Sequence, residues 1–296
     1  MIRYPLLIIC LIFFGCNQKK KEINASDKPG FDGPERAGKI KGDKIQEASG
    51  LVASIANPGM LWTHNDSGND AELFLISEKG EITCTVHLPE ANNRDWEDIT
   101  IGSGPENGKN YIYIGDIGDN AAVYPNKFLY RLEEPRIPAG VTDTTILLTS
   151  KIEFTLPDGA RDTEALAFDP LSGNFYVFSK RESKVNVYKL TTPLSTDKPM
   201  VAERVLEQLP FTQIVALDIS ADGAEILCKN YDRVFYWTRK PGEAIEAVLV
   251  STPSEQPYKT EPQGEAIAFA RDNSGYFTIS ERKKDKDQAL LFYKRN

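Results

Sequence analysis

Acidic residues recur at matched positions along the chain, each directly before a β-type apolar run. Glu97 opens EDITIG, Glu164 opens EALAFD and Glu265 opens EAIAFA. Carboxylates that converge on one point repel each other unless a cation or shared protons compensate. Oxygen ligands suit a hard cation such as Ca²⁺ better than Zn²⁺, so the pattern favours a calcium site. The alternative is that each glutamate caps backbone amides of a neighbouring strand.

A second set of polar residues follows the second apolar run of each similar segment. It is acidic early in the chain and cationic later, and comprises Asp66, Asp116, Asp119, Asn120, Lys180, Arg181 and Arg282. Such a set suits a site in which the acids bind a metal ion and the metal ion binds an anionic ligand, because Lys and Arg neutralise the anion. Turn formation is the alternative, since Asn and Asp are favoured in tight turns. The candidates for a general base are Glu97 and Asp119.

Five similar segments of about 50 residues predict the elements that position these side chains. Their first apolar runs begin at Ser49, Glu97, Glu164, Val215 and Glu265, at spacings of 48, 67, 51 and 50 residues. Four antiparallel strands in each segment are typical of a propeller blade. We therefore predict an all-β protein, a β-propeller of five four-stranded blades. A six-bladed ring and a pair of β-sandwiches are the alternatives.

Propeller geometry also predicts how the ring closes and where the polar residues lie. The last segment has three β-type runs before Asn296, so residues 39–45 are expected to supply its fourth strand and close the ring. The fourth strand of the fourth segment is expected at 247–253, and an insertion at 133–145 explains the long second segment. In a propeller, the inner strand of each blade begins at the same face of the ring at which the turn after the second strand lies. The polar residues of both kinds should therefore converge on that face.

The first sixteen residues, MIRYPLLIICLIFFGC, contain an apolar run too short for a comfortable membrane span. They resemble a bacterial lipoprotein signal. That resemblance implies cleavage after Gly15, acylation of Cys16 and a lipid-anchored place in the cell envelope of a Gram-negative-type bacterium. An uncleaved anchor and ordinary secretion are the alternatives. We expect a signal peptide at 1–15, the acylated Cys and a polar tether at 16–38, and one propeller domain at 39–296.

Composition and missing motifs exclude several classes of function. A formal net charge of −8 makes nucleic acid a poor partner, because such partners need clustered Lys and Arg. Four Cys without any CxxC argue against a zinc ribbon. The sequence also lacks GxSxG, HExxH, P-loop and GxGxxG motifs. A monomer is expected, and the question whether the protein is an enzyme stays open.

The segments ASGL, LWTHNDSG, RDWEDI, YIYIGDIGDN, DTEALAFD and GEAIAF resemble a group of secreted bacterial β-propellers. This group is related to the SdiA-regulated and phytase-like (esterase-like) propellers, and the resemblance covers 39–296. The sequence is more distantly similar to calcium-activated nucleotidases, which are five-bladed propellers with a central calcium. The resemblance implies calcium near Glu97, Glu164 and Glu265, with Ser49 as a further ligand. Val215 departs from the pattern, since it offers no side-chain ligand.

Two functions fit these observations. In the first, an anchored binding module with a central calcium ion binds an anionic small molecule, a glycan or a protein on its rim. In the second, a calcium-dependent phosphoesterase of phytase-like type, or an esterase or lactonase, uses the cation to polarise its substrate. Lys180, Arg181 or Arg282 would then hold the substrate, and Glu97 or Asp119 would act as base.

Overall fold

The computed structural model describes residues 30–283 and 287–296. The predicted signal peptide, Cys16 and most of the predicted tether lie outside the described residues. The described chain is almost entirely β-structure, and its one helix has five residues. No helix in this part of the chain has the length and apolar character needed to cross a membrane.

The strands follow one another along the chain in groups of four. The entering strand is β1 (Glu35–Lys39). Blade one comprises β2 (Ala48–Ala53), β3 (Met60–Asn65), β4 (Glu72–Ser77) and β5 (Ile82–His87). The next strands are β6 (Trp96–Ser103), β7 (Asn110–Asp116), β8 (Asn126–Glu133), β9 (Asp143–Thr145) and β10 (Ser150–Thr155). All of these except β9 belong to blade two.

The second half of the ring repeats this arrangement. Its third blade comprises β11 (Thr163–Phe168), β12 (Phe175–Ser179), β13 (Val185–Leu190) and, after β14 (Met200–Val201), β15 (Glu203–Leu209). The fourth comprises β16 (Ile214–Ile219), β17 (Glu225–Asn230), β18 (Val234–Thr238) and, after α1 (Ile245–Leu249), β19 (Ser254–Gln256). The fifth comprises β20 (Ala266–Phe269), β21 (Gly275–Ile279), β22 (Ala289–Lys294) and β1.

These sheets confirm the prediction of a five-bladed β-propeller. The inner strands β2, β6, β11, β16 and β20 contact one another in a closed circle. Apolar side chains fill the spaces between adjacent blades, in five separate clusters of buried residues. Each blade therefore buries both faces of its sheet against its neighbours, which explains why its three inner strands are buried at nearly every position, whereas the outermost strands are more polar and exposed.

An N-terminal strand closes the ring, as expected, but it is β1 rather than the segment 39–45. β1 pairs antiparallel with β22, from Glu35 opposite Phe292 to Lys39 opposite Ala289. Residues 40–45 instead turn at Gly42, whose φ is +83°, and lead into blade one. Phe31 is buried and bridges to Arg295, so the folded part includes residues that the sequence assigned to the tether.

Two blades carry an additional parallel strand that the sequence did not indicate. β9, within the predicted insertion, pairs with β5 of blade one. In the same way β14 pairs with β10 of blade two. Each extra strand comes from the chain of the following blade, so it ties adjacent blades together at the outside of the ring.

The strand predicted at 247–253 is wrong, because this segment contains most of α1. Ile245, Val248 and Leu249 have the spacing of one helix face and are buried against the cluster that contains Trp237. The fourth strand of the blade is β19, which follows the helix and pairs with β18.

The inner strands all run in the same direction along the axis. We call the end at which they begin, marked by Glu97, Glu164 and Glu265, the upper end. The opposite end, marked by Phe168 and Phe269, is the lower end. The unpaired edges of these strands face the axis, where their backbone N–H groups need acceptors.

Two carboxylates on the axis supply some of these acceptors. Asp98 accepts hydrogen bonds from the backbone N–H groups of Leu166 and Leu217, which belong to blades three and four. Asp218 accepts one from Phe269 in blade five, at 2.7 Å. Asp98 and Asp218 thus link four of the five blades through the centre of the ring.

Replacing Phe31 with alanine tests whether the ring closure extends to this residue. Phe31 packs edge-on against Tyr236 and Tyr276 and lies under the guanidinium of Arg295. We expect Phe31→Ala to lower the free energy of unfolding by about 3 kcal/mol, the usual loss for a buried aromatic side chain. Urea unfolding measures it. Asp32→Ala is the control, and equal midpoints for both variants would contradict the observed closure.

Candidate functional site

A polar pocket of about 340 Å³ opens at the upper end of the ring. All of the side chains that line it are polar or charged: Asp66, Glu97, Asn120, Glu164, Lys180, Arg181, Gln213, Tyr231, Gln263, Glu265 and Glu281. The ring therefore brings together acids from four blades, as the sequence predicted from their matched positions. We call this pocket the acidic mouth.

Three of the four predicted metal ligands line the acidic mouth, and Ser49 does not. Glu97, Glu164 and Glu265 are each at most 4% exposed. Ser49 is buried behind them, and its hydroxyl donates to the backbone carbonyl of Glu97 at 2.6 Å. This hydrogen bond connects blade one to blade two, so Ser49 positions Glu97.

Glu97 lacks the partners that buried charges normally have. Its side chain is 3% exposed, and its carboxylate has no hydrogen-bond or ion-pair partner among the residues that the structure describes. Burial, followed by repulsion from Glu164 and Asp66, raises the pKa of Glu97 well above its ordinary value. A buried carboxylate in this state is stabilised by a cation from solution or by a proton.

Lys180 is the internal counter-ion of the other half of the acidic mouth. Its Nζ lies 2.6 Å from Oε1 of Glu164 and 4.0 Å from Oε1 of Glu265. Even so, burial raises the pKa of Glu164 to about 8. The hydroxyl of Tyr231 donates to Oε1 of Glu265 at 2.6 Å. Lys180, which the sequence assigned to an anion, is therefore already engaged with carboxylates.

The remaining lining residues place further acids at the opening. Burial, with repulsion from Glu265 and Asp95, raises the pKa of Asp66 to about 7. Burial and the charge of Glu265 likewise raise the pKa of Glu281 to about 7. Arg181 is half-exposed, and its Nε lies 2.5 Å from Oδ2 of Asp162. The acidic mouth thus has an excess of carboxylates over cations.

Three of the predicted rim residues lie outside the lining. Asp116 accepts the backbone N–H of Asp95, and Asp119 accepts those of Val123 and Tyr124 at 2.8 Å. Arg282 donates to the backbone carbonyl of Gly42 and to Asp43. These side chains shape the turns around the acidic mouth, which agrees with the alternative that the sequence left open for them.

Gly118, in the motif GDIGDN, makes room for the buried acids. A Cβ atom at this position would overlap with the carboxylates of Glu97 and Asp95. The backbone N–H of Gly118 donates to the carbonyl of Asp95 at 3.1 Å. Only glycine allows the loop to approach this closely, so the motif contributes backbone to the site rather than side chains.

Gln213 and Gln263 are site residues that the sequence analysis missed. Both have a positive φ, 56° and 46°, which is uncommon outside glycine. A signal for them exists, since a polar residue stands two positions before the start of every first run: Glu47, Asp95, Asp162, Gln213 and Gln263. The same spacing also marks Asp95 and Asp162, which lie beside Glu97 and Glu164.

Buried acidic groups at this end of the ring could hold a metal ion. In three groups, carboxylate oxygens of all members lie within 4.8 Å of one another: Asp66, Asp95 and Glu97; Asp66, Glu265 and Glu281; Glu97, Asp162 and Glu164. Such spacing suits oxygens that share one ion at 2.3–2.6 Å, the usual distance to calcium. Glu97 belongs to the first and the third group. Lys180 is paired with Glu164 of the third group, whereas no member of the first group has an ion-pair partner among the described residues.

Comparisons with known proteins found structural similarity at low sequence identity. No protein-family model matches the chain, and a search of curated proteins found no relative. Among solved structures, a luciferin-regenerating enzyme is 14% identical, with a TM-score of 0.43, over 86% of this chain and 79% of that one. The hydrazine synthase of Kuenenia stuttgartiensis is 10% identical, with a TM-score of 0.40, over 75% of this chain and 66% of that one.

The acidic mouth should make stability depend on pH. The raised pKa values of Asp66, Glu164 and Glu281 mean that the folded state holds protons that the unfolded state has lost. Their contribution is complete below about pH 4 and is lost as the pH rises through 7 to 8. We therefore expect the free energy of unfolding to fall between pH 6.5 and 8 in a chelating buffer, as measured by urea unfolding.

The buried side chain of His64 has the opposite effect on stability, but it titrates below this pH range. Burial lowers the pKa of His64 from 6.5 to about 4, so its own effect on stability is over above pH 6.5. Glu281→Gln should make the decline shallower, because it removes one of the titrating groups. A stability that is flat or rising across the range in the unmodified protein would contradict this electrostatic description.

Proposed function

We propose that the protein is a binding module whose acidic mouth holds a divalent cation, with calcium the best suited. The observation that carries this proposal is Glu97, a buried carboxylate that opens into the pocket without a protein partner. The neighbouring oxygens of Asp66 and Asp95 would complete the protein ligands. Calcium suits this set because it prefers oxygen ligands and tolerates irregular geometry.

The internal charges of the pocket favour one cation rather than two. Lys180 already supplies a positive charge beside Glu164 and Glu265. In the half that contains Glu97, no cationic side chain of the described residues lies within ion-pair distance, and the charge of Lys180 only partly offsets the raised pKa of Glu97. A single divalent ion there would compensate the carboxylates that Lys180 does not pair with.

A bound cation would make the acidic mouth a receptor for an anion. The pocket is open to solvent, so the ion could keep coordination positions for a carboxylate or phosphate of a small molecule, glycan or protein. Asn120 and the half-exposed Arg181 line the same opening and could donate hydrogen bonds to such a group.

Binding is favoured over catalysis by the composition of the pocket. Its described lining contains no Ser, Thr, Cys or His, so it offers no Ser–His or Cys–His pair for nucleophilic catalysis. Asp119, a sequence candidate for the base, lies outside the lining and accepts two backbone N–H groups. Calcium-dependent turnover of a phosphoester or lactone, lost in Glu97→Gln, would replace this proposal with the hydrolase alternative.

We further propose that Cys16 is acylated and anchors the propeller in the bacterial cell envelope. The support is the N-terminal sequence, which resembles a bacterial lipoprotein signal with Cys16 after Gly15.

Calorimetric titration of the purified full chain with Ca²⁺ tests the cation site. We expect one ion per chain, and we expect Glu97→Gln to abolish binding because it removes the charge that lacks a partner. Melting temperature should rise with Ca²⁺, since ligand at 100 times its Kd stabilises by about 2.7 kcal/mol. Glu81→Gln, which changes an exposed glutamate, is the matched control.

Two results would contradict the cation site. One is the absence of any heat or thermal shift with Ca²⁺. The other is equal binding by Glu97→Gln and Glu81→Gln. Lys180→Met gives a test in the opposite direction: it removes the internal counter-ion, so Ca²⁺ should bind about tenfold more tightly or in a higher ratio. Arg282→Gln removes a positive charge outside the pocket and is its control.

Fractionation tests the anchor. The chain should be found with membranes and should incorporate labelled palmitate, whereas Cys16→Ser should lose the label and leave the membrane fraction. Cys10→Ser lies within the predicted signal and is the matched control. Equal labelling of the Cys16→Ser variant would contradict acylation at this residue.

A further inference from the structure

A second pocket, of about 240 Å³, lies at the lower end of the ring on the same axis. The ends of all five inner strands contribute to its wall. Asp98 separates it from the acidic mouth, because its carboxylate bonds to backbone N–H groups of blades three and four across the axis. The lower pocket is therefore a site of its own, with a different lining.

About half of its wall is apolar, and the rest is polar, with Thr100, Ser103, Asn110 and Ser220 among the lining residues. Val52, Ile101, Phe168, Ile219 and Phe269 line it, and all except Ile101 are less than a tenth exposed. The volume corresponds to about eight water molecules. Pockets with apolar walls and a few convergent polar groups are the usual form of small-molecule sites. The volume and the wall together suit a compact apolar group such as a branched aliphatic chain or one aromatic ring.

Two opposite charges in this pocket have no ion-pair partner among the residues that the structure describes. Asp218 uses its carboxylate oxygens for the backbone N–H groups of Ile219 and Phe269, at 2.9 and 2.7 Å. It has no ion-pair partner in the described part of the chain. Arg271, exposed at the rim, also forms no ion pair there, although it is close enough to lower the pKa of Asp218. A carboxylate inside and a guanidinium at the rim are thus held apart without contact.

We propose that the lower pocket binds a free α-amino acid with an apolar side chain. The ammonium group would bond to Asp218, the carboxylate would pair with Arg271, and the side chain would occupy the apolar wall. Charge-assisted hydrogen bonds of both kinds are stronger than neutral ones. Each of the two charges without a partner is satisfied by the matching group of the same ligand. This site does not depend on the cation proposed for the acidic mouth.

Desolvation of Asp218 is consistent with this ligand. Burial raises the pKa of this carboxyl to about 7, which is the state of a carboxylate that an additional cationic donor would stabilise. The bond to Phe269 would remain, because a carboxylate oxygen has two lone pairs and accepts more than one hydrogen bond.

Calorimetry with three related probes and the purified full chain tests the proposal. L-phenylalanine should bind saturably, and L-leucine likewise. Phenethylamine, which lacks the carboxylate, and 3-phenylpropionate, which lacks the ammonium, should each bind about tenfold more weakly or worse, because each loses one charge-assisted contact. Absence of saturable binding by both amino acids, or equal affinity for the three phenyl probes, would overturn the proposal.

Substitutions of the two charged residues test whether the amino acid binds in the lower pocket. Arg271→Gln should weaken L-phenylalanine about tenfold and leave phenethylamine unchanged, whereas Asp218→Asn should weaken both. Asp272→Asn changes a neighbouring acid outside the pocket lining and is the matched control. Because Asp218 also bonds to the backbone, Arg271→Gln at the exposed rim keeps the test valid if Asp218→Asn does not fold. Unchanged affinity in Arg271→Gln would overturn the assignment.

Glu97→Gln tests whether the amino acid binds at the lower end of the ring or in the acidic mouth. Amino-acid binding should be unaffected by this variant and by added Ca²⁺, since both act at the acidic mouth. Loss of L-phenylalanine binding in Glu97→Gln would place the amino acid at the upper end and would overturn this proposal.

Discussion

The edges of five inner strands meet on one axis, and the backbone groups along those edges must find partners there. A sheet edge exposes N–H and C=O groups that neither the core nor a neighbouring strand satisfies. Asp98 and Asp218 meet part of this need by accepting N–H groups from adjacent and opposite blades. The structure thereby places carboxylates in the centre of an otherwise apolar ring.

This central constraint divides the axis into two unlike ends. Above Asp98, buried acids surround a pocket that is lined by polar groups throughout. Below it, the ends of the same strands form a wall of aromatic and aliphatic side chains together with several uncharged polar ones, one acid and one exposed arginine. One fold therefore offers two sites with different linings, and the layer that links the blades also separates these sites.

Much of the fold follows from the sequence because the repeat is local. Apart from the closing strand, each blade is built from strands that lie close together in the chain, so spacing and apolar pattern were enough to predict five blades. The errors occur where contacts between blades decide. α1 replaced a predicted strand because Val248 and Leu249 pack into the cluster between blades three and four. The position of the closing strand at Glu35–Lys39 is set by its pairing with β22, which lies about 250 residues away in the chain.

The candidate site divides in the same way. The sequence by itself determined that Glu97, Glu164 and Glu265 share one position in their blades, and hence that they meet at one end of the ring. Only the tertiary structure decided which of them has a partner: Lys180 reaches Glu164 and Glu265, whereas Glu97 remains without one. Residue type and spacing in the sequence are enough to predict which side chains converge. Which of these side chains form ion pairs depends on distances of a few ångströms between blades, and those distances are set only when the ring has closed.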